Sequence, residues 1–182
     1  MKTTTPATVE DLYRVPEHGK AEIVNGELVL MSPTGALPSL ASGAIYASLR
    51  EHQKSAGGGV AYPDNAAFIV NLPHRRSFSP DAAFHRSTVR TMKFEEGAPV
   101  FAAEVRSEGD YGPKAEEAMA QKRADYLAAG TLVVWDVDLL GEDVVRVHRA
   151  GHSEPTIYRR GQVAEAEPAV PGWRMPVDEL FE

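Results

Sequence analysis

The chain has 182 residues, 43% hydrophobic and 25% charged, which suffices for one domain with its own core, and it is read as a single domain over residues 1–182. It contains no cysteine, which excludes a disulfide framework, a thiolate zinc site and a cysteine nucleophile. A formal charge of −7 and a pI near 5.4 argue against a protein that coats nucleic acid through bulk electrostatics, and no apolar run approaches the roughly 20 residues that cross a bilayer.

The start Met1-Lys2-Thr3-Thr4-Thr5-Pro6 lacks the apolar core of a leader peptide, so a soluble cytoplasmic protein is expected. Thr8-Val9-Glu10-Asp11 has the form of a helix cap and first turn, opening a short helix that ends before Pro16. Ala21–Val24 and Glu27–Leu30 flank Asn25-Gly26, the pair that most readily adopts the positive φ angles of a type I′ hairpin. A two-residue turn sets Val24 against Glu27 and Glu22 against Val29, with Glu22 on the face opposite Ile23, Leu28 and Leu30; composition alone reads it as solvent-facing.

Beyond Ser32-Pro33 and Gly35, apolar residues from Leu37 to Leu49 recur at helical steps, and Gly57-Gly58-Gly59 stops the helix. The segments near 60–70, 77–85 and 98–105 read as strands of a mixed sheet. Gly112-Pro113 starts a second helix running to about Ala129, and Leu132–Val137 follows as a central strand, so that strand, helix and strand form a right-handed crossover. Alternation from Asp143 to Arg149 predicts a one-sided strand, with Thr156–Tyr158 another at the sheet edge and Val177–Phe181 a short closing helix. The fold class expected is α/β (α+β), a mixed central sheet flanked by helices with an N-terminal hairpin.

Two carboxylates stand out against this background. Asp81 lies in Ser79-Pro80-Asp81-Ala82-Ala83-Phe84 and Glu104 in Phe101-Ala102-Ala103-Glu104-Val105, both mostly apolar strand-like stretches. A carboxylate there is costly to desolvate unless a partner compensates it, and a divalent cation between two such groups does so. Lys122 shares a helix face with Ala118, Met119 and Tyr126 and so leans toward the sheet; read alone, it snorkels or pairs with Asp125. The trio points to a metal-dependent nuclease site. Between His74 and Lys93 the basic residues Arg75, Arg76, Arg86, Arg90 and Lys93 face a single acid, Asp81, so Arg75 and Arg76 are candidates for holding phosphates.

With these residues in hand, the chain resembles the Uma family of restriction-type endonucleases, a branch of the PD-(D/E)XK nuclease superfamily. The resemblance rests on Ala21–Leu28, Ser79–Phe84, Ala103–Ser107, Lys122–Gly130 and Val134–Asp138, in that order. It implies a restriction-endonuclease-like fold, a divalent metal at Asp81 and Glu104, and phosphodiester hydrolysis. The superfamily's lysine normally stands two residues after the glutamate, where this chain has Arg106; in the family it appears moved to the helix, which assigns its role to Lys122. Glu22 matches a hairpin glutamate that resembles a further acidic member of the site. The family's frequent histidine early in the first long helix has no counterpart in Leu37–Leu40.

Magnesium, or manganese, suits hard oxygen donors, and Asp81, Glu104, the main-chain carbonyl of Val105 and waters form a plausible shell. Lys122 would orient the attacking water or neutralise the phosphate, and Arg106 would clamp it. The histidines, His18 among them, show no zinc-ligand spacing, and no nucleophile elbow or phosphate-cradling glycine loop occurs. Trp135 and Trp173 read as core or interface aromatics. Three functions are compatible with these residues: a DNA endonuclease, expected as a homodimer if it cuts both strands; a catalytically degenerate binding or assembly module; and a hydrolase using the two acids as a glycosidase does, to which 8% aromatic content lends little support.

Overall fold

The computed structural model describes residues 5–15, 19–87 and 89–182. Met1–Thr4, Pro16 and His18, on which parts of the sequence reading rest, lie outside these residues. The chain runs through helix α1 (Val9–Tyr13), strands β1 (Ala21–Val24) and β2 (Glu27–Leu30), helix α2 (Ala36–Ala56), and strands β3 (Val60–Tyr62), β4 (Phe68–Ile69), β5 (Ser77–Phe78), β6 (Ala82–His85), β7 (Glu95–Glu96) and β8 (Phe101–Val105). Helix α3 (Pro113–Ala128) follows, then β9 (Val133–Val137), β10 (Val145–Arg149), β11 (Thr156–Tyr158), β12 (Val163–Glu165), β13 (Arg174–Pro176) and a closing 3-10 helix, Val177–Phe181.

Thr8 caps α1 reciprocally, its hydroxyl accepting from the Asp11 amide while the Asp11 carboxylate accepts from the Thr8 amide. The hairpin forms in the expected register, with Asn25 at φ 52° and Gly26 at φ 75°. Six strands build the central sheet in the order β11-β10-β9-β8-β6-β3, antiparallel except for the β8–β9 pair that α3 connects. Helix α2 buries Ala41, Ile45 and Leu49 against one face, with Phe84, Phe101, Ala103, Trp135, Val145 and Val147. On the other face Tyr126 of α3 packs with Phe68, Phe78, Ala83, Ala102 and Val134. Each large side chain so buried contributes about 2–3 kcal/mol. Trp135 stacks on Trp173 at 4.9 Å between ring centroids, and Phe101 meets both edge-on, so the two tryptophans are core aromatics.

Two predicted strands are each divided. The segment 60–70 breaks at Pro63-Asp64-Asn65, with Asn65 at φ 68°, so β3 joins the central sheet while β4 joins a three-stranded sheet, β5-β4-β7. The segment 77–85 breaks at Ser79-Pro80-Asp81 for the same reason: proline has no amide to continue a ladder. Strands β12 and β13 form a further hairpin that the sequence does not predict, their connection being eight residues long and not a two-residue turn. Among the described residues no helix is long and apolar enough to cross a membrane.

Candidate active site

Strand parity directs Glu104. Its neighbours Ala103 and Val105 belong to the core under α2, so Glu104 projects from the opposite face, toward α3. Lys122 and Tyr126, four residues apart on one face of α3, both reach it: Lys122 Nζ donates to Glu104 Oε2 at 2.7 Å and the Tyr126 hydroxyl to Oε1 at 2.6 Å.

Asp81 stands at the break before β6. Its amide donates to the Ala103 carbonyl at 3.0 Å, which fixes it one strand away from Glu104. Its Oδ2 accepts from the Val105 amide at 2.7 Å and its Oδ1 from Lys20 Nζ at 2.7 Å. Lys20 also reaches Asp64 Oδ1 at 2.7 Å.

The hairpin supplies the third acid. Strand β1 docks on the segment 74–79, where the Ser77 hydroxyl accepts from the Ile23 amide and the Arg76 amide donates to the Ile23 carbonyl. Glu22 is thereby turned inward and buried, the reverse of its composition-based reading. Its Oε1 accepts from the Ser79 amide at 2.9 Å and pairs with Lys122 Nζ at 3.0 Å, while its Oε2 accepts from Arg75 Nη1 at 2.5 Å. Arg75 Nε continues to Asp125 Oδ2 at 2.8 Å, and Asp125 Oδ1 meets His74 Nε2 and Gln121 Nε2, each at 2.7 Å. Lys122 therefore joins two carboxylates and does not pair with Asp125.

These environments pull the titrations apart. Burial raises the Glu104 carboxyl; Lys122 opposes this, but the charges of Asp81 and Glu22 add to it, and the group is pushed up to about 7. Burial also acts upward on Glu22, but Lys122 and Arg75 outweigh it and hold that carboxyl below its usual range. Burial works against the ammonium of Lys122, yet Glu104 and Glu22 more than offset it and keep it charged. Lys20 is raised in the same way, burial being overcome by Asp81 and Glu104. The hydroxyl of Tyr126, buried beside Glu104, is raised well above its ordinary value and stays a donor.

Of the residues singled out in the sequence, Glu104, Lys122 and Glu22 form one ion-pair network, and Asp81 stands beside it, tied through the amide of Val105 next to Glu104. Val105 enters through its amide on Asp81, whereas the sequence reading assigned it a carbonyl role. Arg75 joins the network as the buried link between Glu22 and Asp125. Arg76 is exposed, and only its amide, on Ile23, ties it to the hairpin. Arg106 is buried elsewhere, bidentate on Asp136 at 2.7 and 2.8 Å and engaged by Glu116, so its charge is already matched within the fold. Lys20, Asp64, Tyr126, Ser79 and Asp125 were not read as site residues. Lys20 carried one signal, standing two positions before Glu22 and hence at the same strand parity.

Among the described residues no three His, Cys, Asp or Glu side chains are drawn together as a ready metal cage. The charges nonetheless favour a cation: in two neighbouring ion-pair groups, Lys20 with Asp64 and Asp81, and Lys122 and Arg75 with Glu104, Glu22 and Asp125, the acids outnumber the lysines and arginine. All are hard oxygen donors of the type that takes magnesium or manganese, so the residues fit such an ion, with Asp81 and Glu104 the pair that would share it.

The architecture is a mixed sheet flanked by helices, with Lys122 of α3 joining Glu104 of β8 to Glu22 of the hairpin, and this is a nuclease-like fold. The solved structure of a putative nuclease belonging to DUF820 from Anabaena variabilis ATCC 29413 is similar to it, with a TM-score of 0.75 and 17% identity over 97% of this chain and 98% of that one. The chain belongs to the Uma2 family, described as putative restriction endonuclease, whose model matches residues 8–178. No curated protein matches it.

Proposed function

We propose that the protein is a divalent-metal-dependent endonuclease that hydrolyses phosphodiester bonds in DNA. The observation that carries this reading is the single ammonium of Lys122 set between Glu104 and Glu22, with Asp81 beside them at the break before β6, the strand paired with β8. Asp81 and Glu104 would hold magnesium or manganese, with main-chain oxygen from Val105 and water completing the shell, and such an ion supplies charge stabilisation to the attacking water and the crowded phosphate. Lys122 orients that water or offsets the charge building on the phosphate. Glu22, anchored by the Ser79 amide and Arg75, keeps the lysine aligned, and Tyr126 fixes the second oxygen of Glu104. Arg75 and Arg106 are committed to buried acids, so phosphate contact through them would break ion pairs; the exposed Arg76 is the cation better suited to it. Cleavage of both strands commonly uses two copies about a two-fold axis, and a homodimer is the assembly proposed for that case.

A supercoiled plasmid incubated with Mg²⁺ or Mn²⁺ is expected to be nicked by the wild-type chain and not by Glu104→Ala; equal nicking by both would reject the assignment. A degenerate binding module is the second reading, favoured by lysines that already neutralise one oxygen each of Asp81 and Glu104. Calorimetric titration with Mn²⁺ separates the two, because a degenerate site takes up no ion.

A further inference from the structure

Lys20 makes two contacts of equal length to acids of unequal exposure. Its Nζ lies 2.7 Å from Asp81 Oδ1 and 2.7 Å from Asp64 Oδ1, and the side chains of Lys20 and Asp81 are 16% and 15% exposed while that of Asp64 is 43% exposed. The Asp81 oxygen it covers is the one left over by the fold, since Oδ2 is committed to the Val105 amide. Lys20 also precedes β1 at the parity of Glu22, so its ammonium reaches the acids from the hairpin side while Lys122 reaches them from α3. Every other cation in the network is held by buried partners on both sides: Lys122 by Glu104 and Glu22, Arg75 by Glu22 and Asp125. Among the described residues only Lys20 has a solvent-side acid onto which it can withdraw.

We infer that Lys20 is a built-in counter-cation that occupies the cation position at Asp81 and withdraws onto Asp64 when a divalent metal binds. This rests on the metal-dependent reading of the site. Two cations cannot share one carboxylate oxygen at contact distance without strong repulsion, so uptake of the metal must break the Lys20–Asp81 pair. Asp64 lowers the cost of that step, because the displaced ammonium keeps one partner instead of facing an unpaired, half-buried existence. Without metal, Lys20 compensates a carboxylate that would otherwise repel Glu104 and Glu22. The lysine thus sets metal affinity.

The test is calorimetric titration of the full chain with MnCl₂, comparing wild type with Lys20→Met, Asp64→Asn and the double variant, after unfolding temperatures in EDTA have established that each is folded. Lys20→Met is expected to bind Mn²⁺ about tenfold more tightly, because the competing charge is gone. Asp64→Asn is expected to weaken binding about threefold when Lys20 is present and to have little effect in the Lys20→Met background, the coupling that a shared lysine requires. Lys20→Gln supplies a second uncharged variant if methionine impairs folding. Wild-type binding that is unchanged or weakened on removing Lys20 would overturn the inference while leaving the metal site standing. Absence of Mn²⁺ binding in every variant would overturn both.

Discussion

Tyr126 donates its hydroxyl to Glu104 at 2.6 Å from a ring stacked on Phe78, with 3.9 Å between centroids. The aromatic pair belongs to the packed face of the sheet, so core packing and acid orientation are set by one side chain. Tyr126→Phe keeps the ring and removes only the donor. It is expected to lower the plasmid-nicking rate about tenfold while costing about 1–2 kcal/mol in denaturant unfolding, the usual cost of leaving a buried acceptor unpaired. A rate unchanged from wild type would show that Glu104 needs no such anchor.

Removing Lys122 leaves Glu104 and Glu22 facing each other with no ammonium between them. Lys122→Met is expected to destabilise the metal-free protein by about 3 kcal/mol at pH 8, with a smaller loss at pH 4, where Glu104 is protonated. Nicking should fall by a factor of about 100 or more. Denaturant unfolding at the two pH values, run beside the plasmid assay, checks both statements.

Burial, with the charges of Asp81 and Glu22, pushes the Glu104 carboxyl up to about 7 in the folded protein, above the 4.5 of a free glutamate. Between those values the folded state holds a proton that the unfolded chain has released. The stability this group contributes is therefore fully present below about 4.5 and is lost as pH rises through 7. Glu104→Gln cannot titrate, so in EDTA it is expected to flatten the stability curve over that interval and to unfold at a higher temperature than wild type at pH 8. Thermal unfolding from pH 4 to 8 measures this directly; parallel curves would disprove it.

Arg106 stands two residues after Glu104, and its guanidinium forks onto Asp136 and Glu116. Arg106→Lys cannot reproduce the fork and is expected to cost about 2–3 kcal/mol. DNA affinity, measured by fluorescence anisotropy well below the unfolding temperature, should be unchanged. A selective loss of DNA binding without destabilisation would return Arg106 to the role of phosphate clamp.

At Trp173, stacked on Trp135 and edge-on to Phe101, truncation to alanine removes one of the largest buried side chains under α2. A loss of about 3–5 kcal/mol is expected in denaturant unfolding, with Mn²⁺ affinity unaltered in the fraction that remains folded.

Much of the frame was legible because it depends on local chemistry. Asn25-Gly26 dictated a turn and hence the pairing of Glu22 with Val29; periodicity gave α2 and α3 within a residue or two; continuous apolar runs gave β8 and β9. The divided strands were less legible, since Pro63 and Pro80 break ladders only where an amide is needed, and that need is created by neighbouring strands. Glu22 shows the same limit: its strand position was readable, but its burial depends on β1 docking against Arg75–Ser79.

By itself the sequence determined which residues are acidic or basic, which face of its own element each occupies, and therefore that Asp81, Glu104 and Lys122 were candidates for one site. Tertiary structure decided which charge meets which. Lys122 chose Glu104 and Glu22 over Asp125, Arg106 was drawn to Asp136, and Lys20 came to rest between Asp81 and Asp64. The reason is physical: strand parity and helix periodicity act over a few residues, whereas the partner of a buried charge is set by the packing of segments that lie far apart along the chain.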